Sequence, residues 1–290
     1  MTQNLMLEDH LRSGLDTAVS SARGFAFEPF CAYLLARAFS SPTPLSNVFD
    51  FQGEYKHENE LAELVTLEKG TNGDFTHIAF DINSNLRSSH AVGCSPSSST
   101  DTLKWLQNAQ RSAFCFPSNN VGPDLIFVLR LTNDNTFLRV CSQIKNREKL
   151  DHSRTEEAIR TTDPFQFCSR RADDRQAIPD SSTQEEMVEA IQNLGTGTKK
   201  AGVCGVLRVL ISYPSPPNDD ALAEATESGH GHPLATAPVA FLELENSNLG
   251  QSIPSLAKKA KKIVTLPDRK RKNTDQPTGS EGRSAKKRKK

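Results

Sequence analysis

The chain has 290 residues, with 35 Lys+Arg against 35 Asp+Glu and an apolar fraction of 36%. That length can bury a core, but the apolar fraction falls below the ~45–50% of ordinary globular chains (a figure that also counts Gly), so part of the chain is expected to stay unpacked. Composition excludes collagen-like, coiled-coil and disulfide-scaffold classes, no stretch nears the ~18 apolar residues of a membrane helix, and the polar opening MTQNLMLEDH does not read as a signal peptide, so a soluble intracellular protein is expected.

In chain order, residues 5–39 read as helix in two parts. Leu11, Leu15, Ala18, Val19 and Ala22 form one stripe. After Gly24 a second stripe runs Phe27, Cys31, Leu34, Leu35, Ala38 and Phe39, and Pro29 fits only near the start of that second helix. SSPTPLSN ends it. ENELAELVTLEK is ambiguous, although its end and DFTHIAFDI resemble first strands. Residues 83–100 read as a polar loop, and a short helix around TLKWLQNAQ holds the single tryptophan, Trp105.

The strongest strand signals follow. DLIFVLRL is almost continuously apolar, TNDN is turn chemistry and TFLRVCSQIK is a second strand. RTEEAIRTTDPFQF and STQEEMVEAIQNLG read as helices, AGVCGVLRVLISYP as a buried strand, PSPPNDD as a loop, and PVAFLELE as a closing strand. From about Gln251 the chain is polar and rich in Lys and Arg and is expected to be disordered. The order predicts a single α/β or α+β domain over 1–250 and a tail over 251–290.

The zero net charge hides a segregation. Residues 256–290 hold 14 of the 35 basic residues and 3 of the 35 acidic ones, leaving 21 basic and 32 acidic residues in the body. The tail is thus net +11 and the body net −11. Its clusters are Lys258, Lys259, Lys261 and Lys262; Arg269, Lys270, Arg271 and Lys272; and Lys286, Lys287, Arg288, Lys289 and Lys290. Runs of this kind read as nuclear-localisation signals or nucleic-acid patches, and a nuclear import receptor and DNA are the partners expected. The six cysteines are scattered with no CxxC pair and read as free thiols. GTGTKK at 195–200 lacks the spacing of a Walker loop, and His230 and His232 have no cysteine near them to complete a zinc site.

The stretch with chemistry in it is GPDLIFVLRLTNDNTFLRVCSQIKN, residues 122–146. If Thr132–Asn135 form a four-residue hairpin loop, antiparallel pairing sets Asp124 opposite Gln143. Side chains alternate along a strand, so Gln143 and Lys145 share one face with Phe137, Arg139 and Cys141. An Asp, a Gln and a Lys then converge at one end of an otherwise largely apolar hairpin. A slip of one residue would send Gln143 and Lys145 to the opposite face.

On these residues the sequence resembles the PD-(D/E)XK nuclease superfamily, the restriction-endonuclease-like fold. Pro123-Asp124 stands for the PD, and Gln143-Ile144-Lys145 stands for (D/E)XK with Gln in place of the acid. The resemblance spans about residues 24–212 and implies a central mixed sheet flanked by helices, with Glu28 as the acid of the first core helix. It implies a Mg²⁺ ion, or Mn²⁺, held by Asp124, the Gln143 side-chain carbonyl, the Ile144 backbone carbonyl and Glu28, with Lys145 beside the scissile phosphate. A looser similarity is to restriction-like domains linked to mobile elements. Arg147, Lys149, Arg154 and Arg160 follow the motif and read either as phosphate contacts or as a solvated helix face. The implied activity is metal-dependent hydrolysis of DNA phosphodiester bonds in the nucleus. The alternatives are a catalytically degenerate module of the same fold, binding DNA or a protein, and an unrelated α/β interaction module. Neither oligomeric state nor sequence specificity is legible.

Overall fold

The structure is a computed structural model and describes residues 20–69, 75–80, 92–107, 112–118, 121–147, 149–168, 181–192, 203–227 and 239–243. Leu11, Leu15, Ala18 and Val19 of the first predicted helical stripe, GTGTKK, His230, His232 and the whole of 251–290 lie outside the described residues.

At the centre stand β7 (Leu125–Leu131), β8 (Phe137–Arg147) and β9 (Val203–Pro214). Their nearly unbroken apolar runs mark strands covered on both faces. Strands β7 and β8 are an antiparallel hairpin in the register predicted above, from Leu125↔Ser142 to Arg130↔Phe137. Its turn closes with Leu131 N–H donating to the Thr136 carbonyl, and Asn135 takes the left-handed conformation at φ 57°. The Asp134 carboxylate accepts from both the amide and the hydroxyl of Thr136.

β9 lies parallel to β8 on the hairpin's other side. A parallel neighbour needs a long crossover, and this one carries α3 (His152–Arg160) and α4 (Ser181–Gln192). Outward from β7 come β3 (Leu61–Lys69), antiparallel to it, then β1 (Thr43–Pro44) and β4 (Phe75–Ala79), both paired with β3. Two short strands, β5 (Gly93–Cys94) and β6 (Phe114–Cys115), join β7 through β6. On the far side β10 (Val239–Glu243) lies parallel to β9 and pairs with β2 (Asp50–Phe51). The ten strands form one mixed sheet.

Helix α1 (Ser20–Ala38) covers one face, against Leu125, Phe127, Leu129, Leu138, Val140, Ile144, Leu207 and Val209. The opposite face packs Ile126, Cys141 and Val206 against α2 (Ser99–Gln107) and α4 through Leu103, Leu106, Met187 and Ile191. Leu210 meets Ala158 and Ile159 of α3 and Leu222 of α5 (Asp219–Glu227). Each such apolar side chain contributes about 1.5–3 kcal/mol on leaving water. The fold is therefore mixed α/β, a multistranded sheet with helices on both faces.

Besides four two-residue strands, of which Gly93–Cys94 falls in the expected loop 83–100, three helical readings differ from the sequence analysis. Helix α1 runs through Gly24 and Pro29 without a break. Pro29 is exposed, and residues 30–36 are buried on nearly every side, so tertiary packing holds a helix that local signals divide. The segment 154–167 is most of α3, up to Arg160, plus a separate 3-10 turn, Pro164–Gln166, because Asp163 caps Phe165 N–H and starts a new turn. PSPPNDD is not wholly loop: Asn218 Oδ1 accepts from Ala221 N–H and opens α5.

Candidate functional site

The paired ladder of β7 and β8 ends at Leu125↔Ser142, with the Asp124 N–H donating to the Ser142 carbonyl at 2.9 Å. Continued one step past Asp124, the same register would set Ile144 against Pro123, which has no N–H to offer. The Ile144 N–H donates instead to Asp124 Oδ2 at 2.8 Å. N–H and C=O of one strand residue point to the same side, so the Ile144 carbonyl also faces the edge that β7 has vacated. Asp124 is thus the side chain that terminates the hairpin, and its neighbours are fixed by the ladder behind it.

Gln143, buried, donates its Nε2 to Asp124 Oδ2, and its Oε1 accepts from the Thr161 hydroxyl. Thr161 is the C-cap of α3, a helix started by the Asp151 carboxylate accepting from Arg154 N–H. The orphan carbonyls at that helix end are met by Thr161 Oγ1 on Ala158, Thr162 Oγ1 on Ile159, and the guanidinium of the buried Arg208 on Ile159. Gly122, just before the Pro-Asp pair, packs directly on the Thr161 backbone: a Cβ there would stand 2.8 Å from the Thr161 carbonyl oxygen. Hairpin end, helix end and glycine loop form one contact.

Glu28 and Lys145 complete the cluster, both partly exposed. Burial pushes the Glu28 carboxyl up to about 7, helped by the Asp124 charge and opposed by the Lys145 charge. Asp124 is also raised, by burial, against the pull of Lys145 and of the Ile144 N–H. Cys31, one turn along α1 from Glu28, is pushed well up by burial and by both acids. Two desolvated carboxylates share a site with one ammonium group, and the pair holds its negative charge reluctantly.

The structure therefore brings together Asp124, Gln143, Ile144, Lys145 and Glu28. One member is turned away: the Gln143 carbonyl oxygen faces Thr161, not Asp124. Among the described residues no group of three His, Cys, Asp or Glu side chains is arranged for a metal ion. The donors present are two carboxylates, one amide and one backbone carbonyl, all hard oxygens of the kind Mg²⁺ prefers, so the residues fit that ion better than a softer one. Thr161 and Gly122 were missed by sequence reasoning. A threonine after a helix carries no signal of its own, whereas a glycine directly before Pro-Asp is a signal that could have pointed to the close backbone approach.

The four basic residues after the motif, Arg147, Lys149, Arg154 and Arg160, are all exposed around this end of β8 and on α3. Of the cysteines whose side chains are described, Cys31 is the one whose thiol feels the charges of Glu28 and Asp124. Cys115, Cys141 and Cys168 are buried and free, and Cys94 is half-buried beside Cys115. No helix among the described residues is long and apolar enough to cross a membrane. The chain matches no protein-family model, no curated protein and no solved structure.

Proposed function

We propose that this protein is a metal-dependent nuclease-like enzyme of the PD-(D/E)XK kind, hydrolysing phosphodiester bonds of DNA in the nucleus. One observation carries the reading: Asp124 closes the hairpin beside Gln143 and the Ile144 edge, within the field of Lys145 and Glu28. The order of core elements agrees with that superfamily: α1, then β3, β7 and β8 antiparallel, the crossover helices, and β9 parallel to β8.

Asp124, Glu28, the Ile144 carbonyl and the Gln143 amide oxygen are the groups that would hold Mg²⁺ or Mn²⁺. When bound, the ion supplies Lewis-acid polarisation of the scissile phosphate and a water of lowered pKa. Lys145 offsets the charge that grows on the phosphate oxygens. Exposed Arg147, Lys149, Arg154 and Arg160 hold the backbone of the nucleic acid near the cluster. The basic tail engages an import receptor and adds sequence-independent affinity to an acidic body.

A second reading rests on the Gln143 amide. Its N–H₂ group sits where the superfamily places an acid, and it already hydrogen-bonds Asp124. A fold-sharing module that binds DNA or a protein without cleaving it is consistent with that contact.

Cleavage of single-stranded, duplex and branched DNA with Mg²⁺ and with Mn²⁺ separates the two, comparing wild type with Asp124→Ala and Lys145→Ala. The enzyme reading expects wild-type cleavage and its loss in both variants. Binding of DNA without cleavage under either metal sinks it in favour of the module.

A further inference from the structure

The Thr161 hydroxyl stands within hydrogen-bond reach of two acceptors, Gln143 Oε1 and the Ala158 carbonyl, the latter at 2.7 Å. A hydroxyl has one proton and two lone pairs, so it donates to one of these at a time. When it donates to Gln143, the amide is locked with its N–H₂ on Asp124, as observed. When it donates to Ala158, its lone pairs face Gln143, and the amide is satisfied only after exchanging its ends, Nε2 towards Thr161 and Oε1 towards Asp124. Two oxygens of Asp124 and Gln143 facing each other repel unless a cation lies between them. The first arrangement suits a cluster without metal and the second a cluster with it, and Thr161 satisfies the amide in both.

We infer that Thr161 is a positioning residue that sets which end of the Gln143 amide faces Asp124, and so makes a neutral glutamine serve as an oxygen ligand for a divalent cation. This inference rests on the metal-site reading given above and deepens it. A carboxylate has oxygen at either end and needs no such partner. A glutamine does, and the C-cap of α3 supplies it. The metal-free lock also explains how Asp124 tolerates its half-buried place, since two N–H groups stand in for the missing positive charge.

The test uses the full chain and Mn²⁺ itself as the probe, with free Mn²⁺ read by its paramagnetic resonance. Thr161→Val keeps the shape and removes the hydroxyl. Weakening of Mn²⁺ binding by about tenfold is expected, the ordinary size of an outer-shell loss, and Thr161→Ser should restore it. In a Gln143→Glu background, Thr161→Val should cost far less, a coupling that a merely structural role for Thr161 would not produce. In wild type, saturation with diamagnetic Mg²⁺ should shift the Gln143 side-chain amide resonances, assigned by through-space contacts from the Gln143 side-chain amide protons to the Thr161 methyl group. Undiminished Mn²⁺ affinity in Thr161→Val, or an amide signal unmoved by bound Mg²⁺, overturns the role given to Thr161 while leaving the metal site intact. Mn²⁺ binding that is absent in wild type, or unchanged in Asp124→Asn, overturns the metal-site reading itself, and this inference with it.

Discussion

Gly122 holds the backbone at φ +140°, a region that side chains rarely enter, and its missing Cβ lets the chain lie against Thr161 and Phe167. Gly53, at φ +78°, has nothing within 4 Å of the same position. The two glycines separate backbone strain from steric crowding. Gly53→Ala is expected to cost about 1 kcal/mol, and Gly122→Ala about 3 kcal/mol, because only the second must also displace a backbone carbonyl. Urea unfolding of the two variants measures the difference, and equal costs would mean that the close approach of Gly122 to Thr161 carries no energy of its own. Glu28 makes a prediction of a different kind. In the folded protein it keeps its proton up to about pH 7, whereas in the unfolded chain it ionises near the ordinary glutamate value of about 4.3. Between those values the folded state binds the extra proton. The stability this confers is complete below the unfolded value and is lost as pH rises through about 7. Asp124, shifted the same way, adds to the slope. Metal-free wild type should therefore lose stability from about pH 5 to about pH 7, and Glu28→Gln should flatten that fall. A flat wild-type profile in chelator-treated buffer would contradict the raised carboxyl that burial gives Glu28.

Among the elements, the β7–β8 hairpin was the most legible, because TNDN fixes the loop and the loop fixes the register. Asn135 is the residue on which this depends. It adopts φ 57° and accepts from Arg130 Nη1 at 2.8 Å, while Arg130 is also paired with Glu63 across β3. Asparagine tolerates that conformation and a β-branched residue does not. Asn135→Val should destabilise the protein by about 2 kcal/mol, with Asn135→Gly close to wild type. Thermal or urea unfolding that ranks the two alike would mean the turn is held by its flanking strands alone. What stayed hidden has equally local causes. Strands β1, β2, β5 and β6 have two residues each, too few for any period to register. Helix α1 looked like two helices because glycine and proline punctuate it, and only the sheet it packs against overrides them. The site was half visible. Asp124, Gln143 and Lys145 follow from one register, but Thr161 reaches Gln143 from a helix end whose position is set by Arg208 and α5, not by any spacing near the motif.

Over the whole molecule, charge is the organising feature, and it was readable from where the charged residues fall along the sequence, although composition alone gives zero. A body of net −11 repels a polyanion at long range, and the four exposed basic residues near the hairpin end are a small local exception. A tail of net +11 cancels that charge, to a total of zero, and offers a polyanion a cationic segment only while it is attached. Affinity for duplex DNA should therefore be strongly salt-dependent in the full chain. For every phosphate that residues 256–290 neutralise, their deletion should make the slope of log K against log salt shallower by about 0.9. The same deletion should abolish nuclear accumulation of a tagged protein. It should leave the unfolding midpoint and the Mn²⁺ affinity of the cluster unchanged, since every described core residue and every cluster residue precedes residue 256. The two slopes, taken from fluorescence anisotropy over a salt series, decide where DNA is held. Equal slopes would assign binding to the body's own cationic edge, and an unchanged nuclear signal would deny the tail its addressing role.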